Sequence, residues 1–124
     1  MDFVAAAPAC EPSLRGTGTN RIDGEKFVLV WRAQPATLPL SEFFVLEVGA
    51  CARKEMGSDP ISLRVDAQMP VHKHGINYRP SVLHKGGGRF IVEGLLLHMP
   101  GRWELIFDLR RDQIRETLRA QILL

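Results

Sequence analysis

All four histidines of this 124-residue chain fall between residues 72 and 98: His72, His74, His84 and His98. Met69 and Met99 stand among them, each followed by a proline. Side chains of an extended backbone alternate with a period of two, so His72 and His74 project to one side and form a two-point chelate. If the loop at 69–79 folds against the turn at 98–101, His98 or Met99 completes the site. Imidazole and thioether donors, without thiolate or clustered carboxylate, suit copper better than calcium or magnesium. Zinc held by histidines alone is the alternative. No spacing matches a zinc finger or an H-E-x-x-H helix. The same residues also have a structural reading, in which loop histidines hydrogen-bond to backbone carbonyls and methionines fill gaps in a core. Both readings stay open on the sequence.

Other chemistry is sparse. No serine or cysteine lies in a nucleophile motif, and Ser81 near His84 is a coincidence of loop composition. Gly86-Gly87-Gly88 lacks the following Lys-Ser/Thr and helix of a phosphate loop, so a hairpin turn accounts for it better. Arg110, Arg111, Arg115 and Arg119 are interleaved with Asp108, Asp112 and Glu116, the pattern of a solvated face and a guard against edge pairing. With no paired acid and base and no activated nucleophile, the expectation is a protein that is not an enzyme. A net charge of +2 argues against a nucleic-acid footprint and a polybasic membrane patch.

The N-terminus carries a second theme. Ala7-Pro8-Ala9 has the small-x-small form of a processing site. Residues 1–13 are therefore expected to be a processing remnant or a flexible N-terminus, and 14–124 a single domain. Cys10 has two readings. It pairs with Cys51 across a loop of about 40 residues, worth roughly 4 kcal/mol on chain-entropy grounds, or it stands first after cleavage and carries a lipid anchor. No apolar run approaches the roughly 20 residues that cross a bilayer.

The elements that must position these residues follow a period of two. Phe27, Leu29 and Trp31 share a face, and 43–51 is a nearly continuous apolar run suited to a strand covered on both sides. Pro35 and Pro39 mark the intervening loop. After a loop at 57–60, Ile61, Leu63 and Val65 alternate with Ser62, Arg64 and Asp66. Residues 68–80 predict a long structured loop. Strands at 81–83 and 89–93 flank the glycine turn. Pro100-Gly101 suits a type II turn, followed by Trp103, Leu105, Phe107 and Leu109 pointing inward. The segment 114–122 fits either a strand or a helix; a strand is favoured, because six earlier strands need a closing partner. Trp31 and Trp103 anchor the core. With 45% hydrophobic and 24% charged residues the chain can build that core. The prediction is all-β, an immunoglobulin-like β-sandwich of about seven strands, with a barrel as the alternative.

The run Asp66–Gly75, with Gly88–Leu95 and His98–Leu105, resembles the YtkA-like and FixH-like domains, whose pattern pairs an M-P-x-H-x-H-G-like loop with a later M-P-G-x-W turn. The resemblance covers about 66–110. It implies a small immunoglobulin-like bacterial envelope domain, periplasmic or membrane-anchored, with links to copper handling or oxidase assembly. Its motif falls on Met69, His72, His74, His98 and Met99. His84 lies outside it, and Ile76 replaces a methionine that often follows the His-Gly in relatives. The expectation is thus a non-catalytic envelope domain binding copper through Met69, His72, His74, His98 and Met99. The alternative is a metal-free interaction domain for an unidentified envelope protein, surface-exposed and so antigenic, with no nucleic acid and with membrane contact only through a lipid on Cys10.

Overall fold

Alternating apolar residues fold this chain into two antiparallel sheets packed face to face. The computed structural model describes residues 10–53, 59–60, 62–72 and 74–124. Among them nine strands are found: β1 (Asn20–Asp23), β2 (Phe27–Gln34), β3 (Phe44–Ala52), β4 (Ser62–Met69), β5 (His74–Gly75), β6 (Ser81–Gly86), β7 (Arg89–Leu95), β8 (Arg102–Arg111) and β9 (Ile114–Leu123). One sheet runs β1-β2-β3-β7-β6, and the other β5-β4-β8-β9. The fold is an all-β sandwich.

The expected sandwich of about seven strands is present, and the structure adds two short strands that hydropathy could not reveal. β1 is Asn-Arg-Ile-Asp, almost wholly polar, and is held by its register with β2 from Asn20↔Trp31 to Asp23↔Val28. β5 is two residues long and lies inside the segment read as the 68–80 loop. That loop is shorter than expected, because Gln68 and Met69 still belong to β4. The ambiguous 114–122 segment is a strand, β9, paired with β8 along its whole length. The processing segment before Cys10, residues 57 and 58 of the loop at 57–60, and Ile61 lie outside the described residues.

The core is the layer where the two inner faces meet. Phe27, Leu29 and Trp31 of β2 meet Trp103, Leu105 and Phe107 of β8, all buried. The glycine hairpin forms as expected: Gly86, Gly87 and Gly88 have φ of 84°, 61° and 75°, which glycine alone adopts without steric cost. Gly88 also approaches β3 closely, where a Cβ would stand 2.0 Å from the Ala50 carbonyl oxygen.

Val28 and Val30 point away from this layer yet are buried. The chain from Cys10 onward covers them. Cys10 is disulfide-bonded to Cys51. Leu14 is 3% exposed and packs on Gly49, where a Cβ would come within 2.8 Å of the Leu14 Cβ. Arg32, paired with Glu47, donates from Nη1 to the Arg15 carbonyl at 3.3 Å. At the edge of the other sheet, the Glu116 carboxylate accepts backbone N–H groups of Glu25, Lys26 and Phe27 at 2.7, 3.0 and 3.0 Å. Gly24 makes room for it, since a Cβ there would lie 2.3 Å from Glu116 Oε1.

Candidate functional site

Three connections meet at one end of the sandwich: residues 35–43 between β2 and β3, 70–80 around β5, and 96–101 between β7 and β8. Ser41 N–H donates to the Leu97 carbonyl at 2.8 Å, tying the first connection to the third. The predicted ligands lie here. Register places His74 opposite Met69 across the β4–β5 pair. The methyl of Met69 lies against Gly101, where a Cβ would stand 2.8 Å from it. Gly101 has φ of +131°, a positive value that suits the expected Pro-Gly turn. The His98 ring meets Trp103 edge-on at 5.5 Å, and Trp103 Nε1 donates to the Met99 carbonyl at 2.9 Å. β4, β5 and the 98–101 turn are thus brought together.

The donor groups differ in availability. Met69 is 3% exposed and belongs to the core. Met99 packs against that core and is half-buried. His72 is exposed in the turn before β5. His74 is placed by its backbone alone. His84 is elsewhere: it lies on β6 toward the glycine turn, stacked on Phe90 at 4.7 Å. Among the described residues, no group of three or more His, Cys, Asp or Glu side chains is placed to hold a metal ion.

Hydropathy alone did not disclose two features of this region. Phe43 and Tyr78 make an edge-on pair at 5.2 Å while remaining 58% and 52% exposed. Leu40 and Val71, in the connections beside them, are exposed as well. The second feature is a groove of about 840 Å³. One wall is the crossover segment with Ile76, Tyr78 and Arg79, and the other is β4 with Arg64 and Asp66. Its floor is the outer face of the four-stranded sheet. Register aligns Arg64–Asp108–Thr117 in one row, Asp66–Ile106–Arg119 in the next and Gln68–Glu104–Gln121 beyond.

In the last row Glu104 accepts from Arg119 at 2.6 Å, Gln121 at 2.7 Å and Gln68 at 3.1 Å. The Arg119 hydrogen bond, helped by the two amides, holds the Glu104 carboxyl below its usual range against the opposing effect of desolvation. A signal for the aromatic pair did exist in the sequence. Phe43-Phe44 doubles an aromatic where only one of two adjacent strand residues can face the core.

In comparison with known proteins, no family model and no curated protein match the sequence. The fold is similar to that of a DUF4426 family protein from Pseudomonas aeruginosa PAO1, with a TM-score of 0.58 and 6% identity over 86% of this chain and 94% of that one. Identity this low carries the architecture alone: a β-rich domain with a bacterial structural counterpart.

Proposed function

We propose that this chain is a non-catalytic bacterial cell-envelope domain that binds a protein partner through the loop end and the adjoining groove. The observation that carries the reading is the exposed Phe43–Tyr78 pair, with Leu40 and Val71 beside it. Aromatic side chains held rigidly in water are costly to leave unpartnered and are typical anchors of protein interfaces. The Cys10–Cys51 bond supports an oxidising compartment. A Cys10 sulfur in that bond cannot also carry a lipid, so the disulfide argues against an anchor at Cys10. The reading includes the immunoglobulin-like placement near YtkA-like and FixH-like domains, supported by the Met69–Gly75 and His98–Trp103 runs. To test it, a photo-crosslinking residue is placed at position 43 or 78, and at 112 in the turn at the opposite end. Adducts of one discrete envelope protein from 43 and 78, and none from 112, are expected. Equal labelling at all three positions would overturn the proposal.

A second reading, copper held at the same end, has one observation in its favour. β5 sets His74 opposite Met69, and Met69 touches the turn that carries His98 and Met99. The donor set is imidazole and thioether, which fits copper. His72, His74, His98 and Met99 would hold the ion, with Met69 requiring repacking to join them. Titration with copper(I) and copper(II) against a competing chelator tests this. Loss of binding in the His72→Ala/His74→Ala double variant supports it, and unchanged affinity removes it.

A further inference from the structure

The groove runs along a strand edge. Among the described residues β5 pairs with β4 only at Gln68 and Met69, so Ser62 to Ala67 lack a strand on that side. Ala67, which lies opposite Leu105 in β8, donates its N–H to Oδ1 of Asp66 at 2.8 Å. In an antiparallel ladder alternate residues turn both backbone groups away from a given neighbour. Leu63 and Val65 therefore aim N–H and C=O into the groove, while the Ala67 N–H on that side is taken by Asp66 and Ser62, Arg64 and Asp66 bond to β8. The open edge of six residues is about 20 Å long at roughly 3.3 Å per residue. Natural edges of this kind are capped or charged to prevent unwanted pairing. Here, among the described residues, Asp66 caps the Ala67 N–H, at the last position before the β5 pairing.

We infer that this edge accepts an extended segment of a partner protein as an added antiparallel strand, an inference that rests on the partner-binding reading above. The edge specifies its occupant. Leu63, Val65 and Ala67 face the core side, where Ile76 and Val82 line the groove. Arg64 and Asp66 face the outer side. Directly opposed residues of antiparallel strands share a face, and opposite charges there attract. The occupant, read from its N-terminus, is therefore apolar, basic, apolar, acidic, apolar, with its base opposite Asp66 and its acid opposite Arg64.

The β4 sequence Leu-Arg-Val-Asp-Ala has this same pattern, so a second copy must be considered. Two-fold pairing about Val65 would set Arg64 against Asp66 of the copy. The same register sets Ser62 of the copy against Gln68, whose edge Gly75 already fills. A folded copy therefore meets a clash at that position, whereas a short segment can end or turn away there.

The probe is a synthetic peptide, Leu-Arg-Val-Asp-Ala with Gly-Ser flanks, and the control is Leu-Asp-Val-Arg-Ala in the same flanks. Both are titrated into the whole ¹⁵N-labelled protein. The first is expected to shift the Leu63 and Val65 amides, slow their exchange, and bind roughly ten-fold tighter than the control, given two charge pairs gained rather than opposed. The Arg64→Asp/Asp66→Arg variant should reverse the preference. Equal binding of both peptides, or unmoved edge amides, would overturn strand addition. Shifts confined to residues near Phe43 and Tyr78 would do so too, while leaving the partner-binding reading intact. A concentration-dependent dimer with protected β4 amides would replace the partner segment by a second copy.

Discussion

The outer faces of the two sheets are finished differently. Over the five-stranded sheet, residues 10–15 form a strap that buries Val28 and Val30 under Leu14 and is fixed by Cys10–Cys51. Over the four-stranded sheet there is no such strap among the described residues, but rows of mostly charged and amide side chains, with Ile106 and Thr117 among them, beside an open edge. The first face is closed by apolar burial and a covalent tie; the second is kept in water by polarity. A face built in the second way can be covered by a partner without first unfolding anything.

This contrast can be broken from the strapped side with the largest effects. Replacing both Cys10 and Cys51 by serine frees the strap, and the loss expected from chain entropy is about 4 kcal/mol, measurable by urea unfolding. Leu14→Ala keeps the disulfide but removes packing over Gly49, at a cost of about 3 kcal/mol by the same measurement. A loss near zero in either variant would mean that the strap is not part of the cooperative unit.

The polar face should respond more weakly. Glu104 has a folded-state pKa below its unfolded value, so its contribution is present above the unfolded value and is lost as pH falls through the folded one. Arg119 is half exposed, which keeps the effect small. Arg119→Met should raise the Glu104 titration midpoint, followed by NMR of its side-chain carboxyl carbon, and flatten stability on the acid side. The smallest change is Arg64→Ala, expected to shift stability by no more than about 0.5 kcal/mol because the side chain lies exposed on the bare face. A large loss there would show that the groove is structural.

Much of this architecture was legible because burial on one face writes itself as a period of two. Phe27, Leu29 and Trp31 are an instance, as are Trp103, Leu105 and Phe107. The apolar run at 43–51 correctly announced a strand covered on both sides, although nothing local could say that the outer cover would be the chain's own residues 10–15. β1 stayed hidden because a polar edge strand is held by backbone pairing, and β5 because two residues carry no period. The Met and His residues were legible as types and as neighbours along the chain. Their environments were not, since Met69 is drawn into the core by its place at the end of β4. The groove and the open edge depend on where the 76–80 crossover runs relative to β4, a long-range property that composition does not encode.

The account turns on β4 having a free edge, and amide hydrogen exchange in the native protein reads this directly. Arg64 and Asp66, bonded to β8, are expected to exchange at least roughly a hundred-fold more slowly than Leu63 and Val65, whose N–H groups face the groove. That alternation would establish an edge able to accept a strand. Uniform protection from Leu63 to Asp66 would contradict it, because the edge would already be filled in the protein alone.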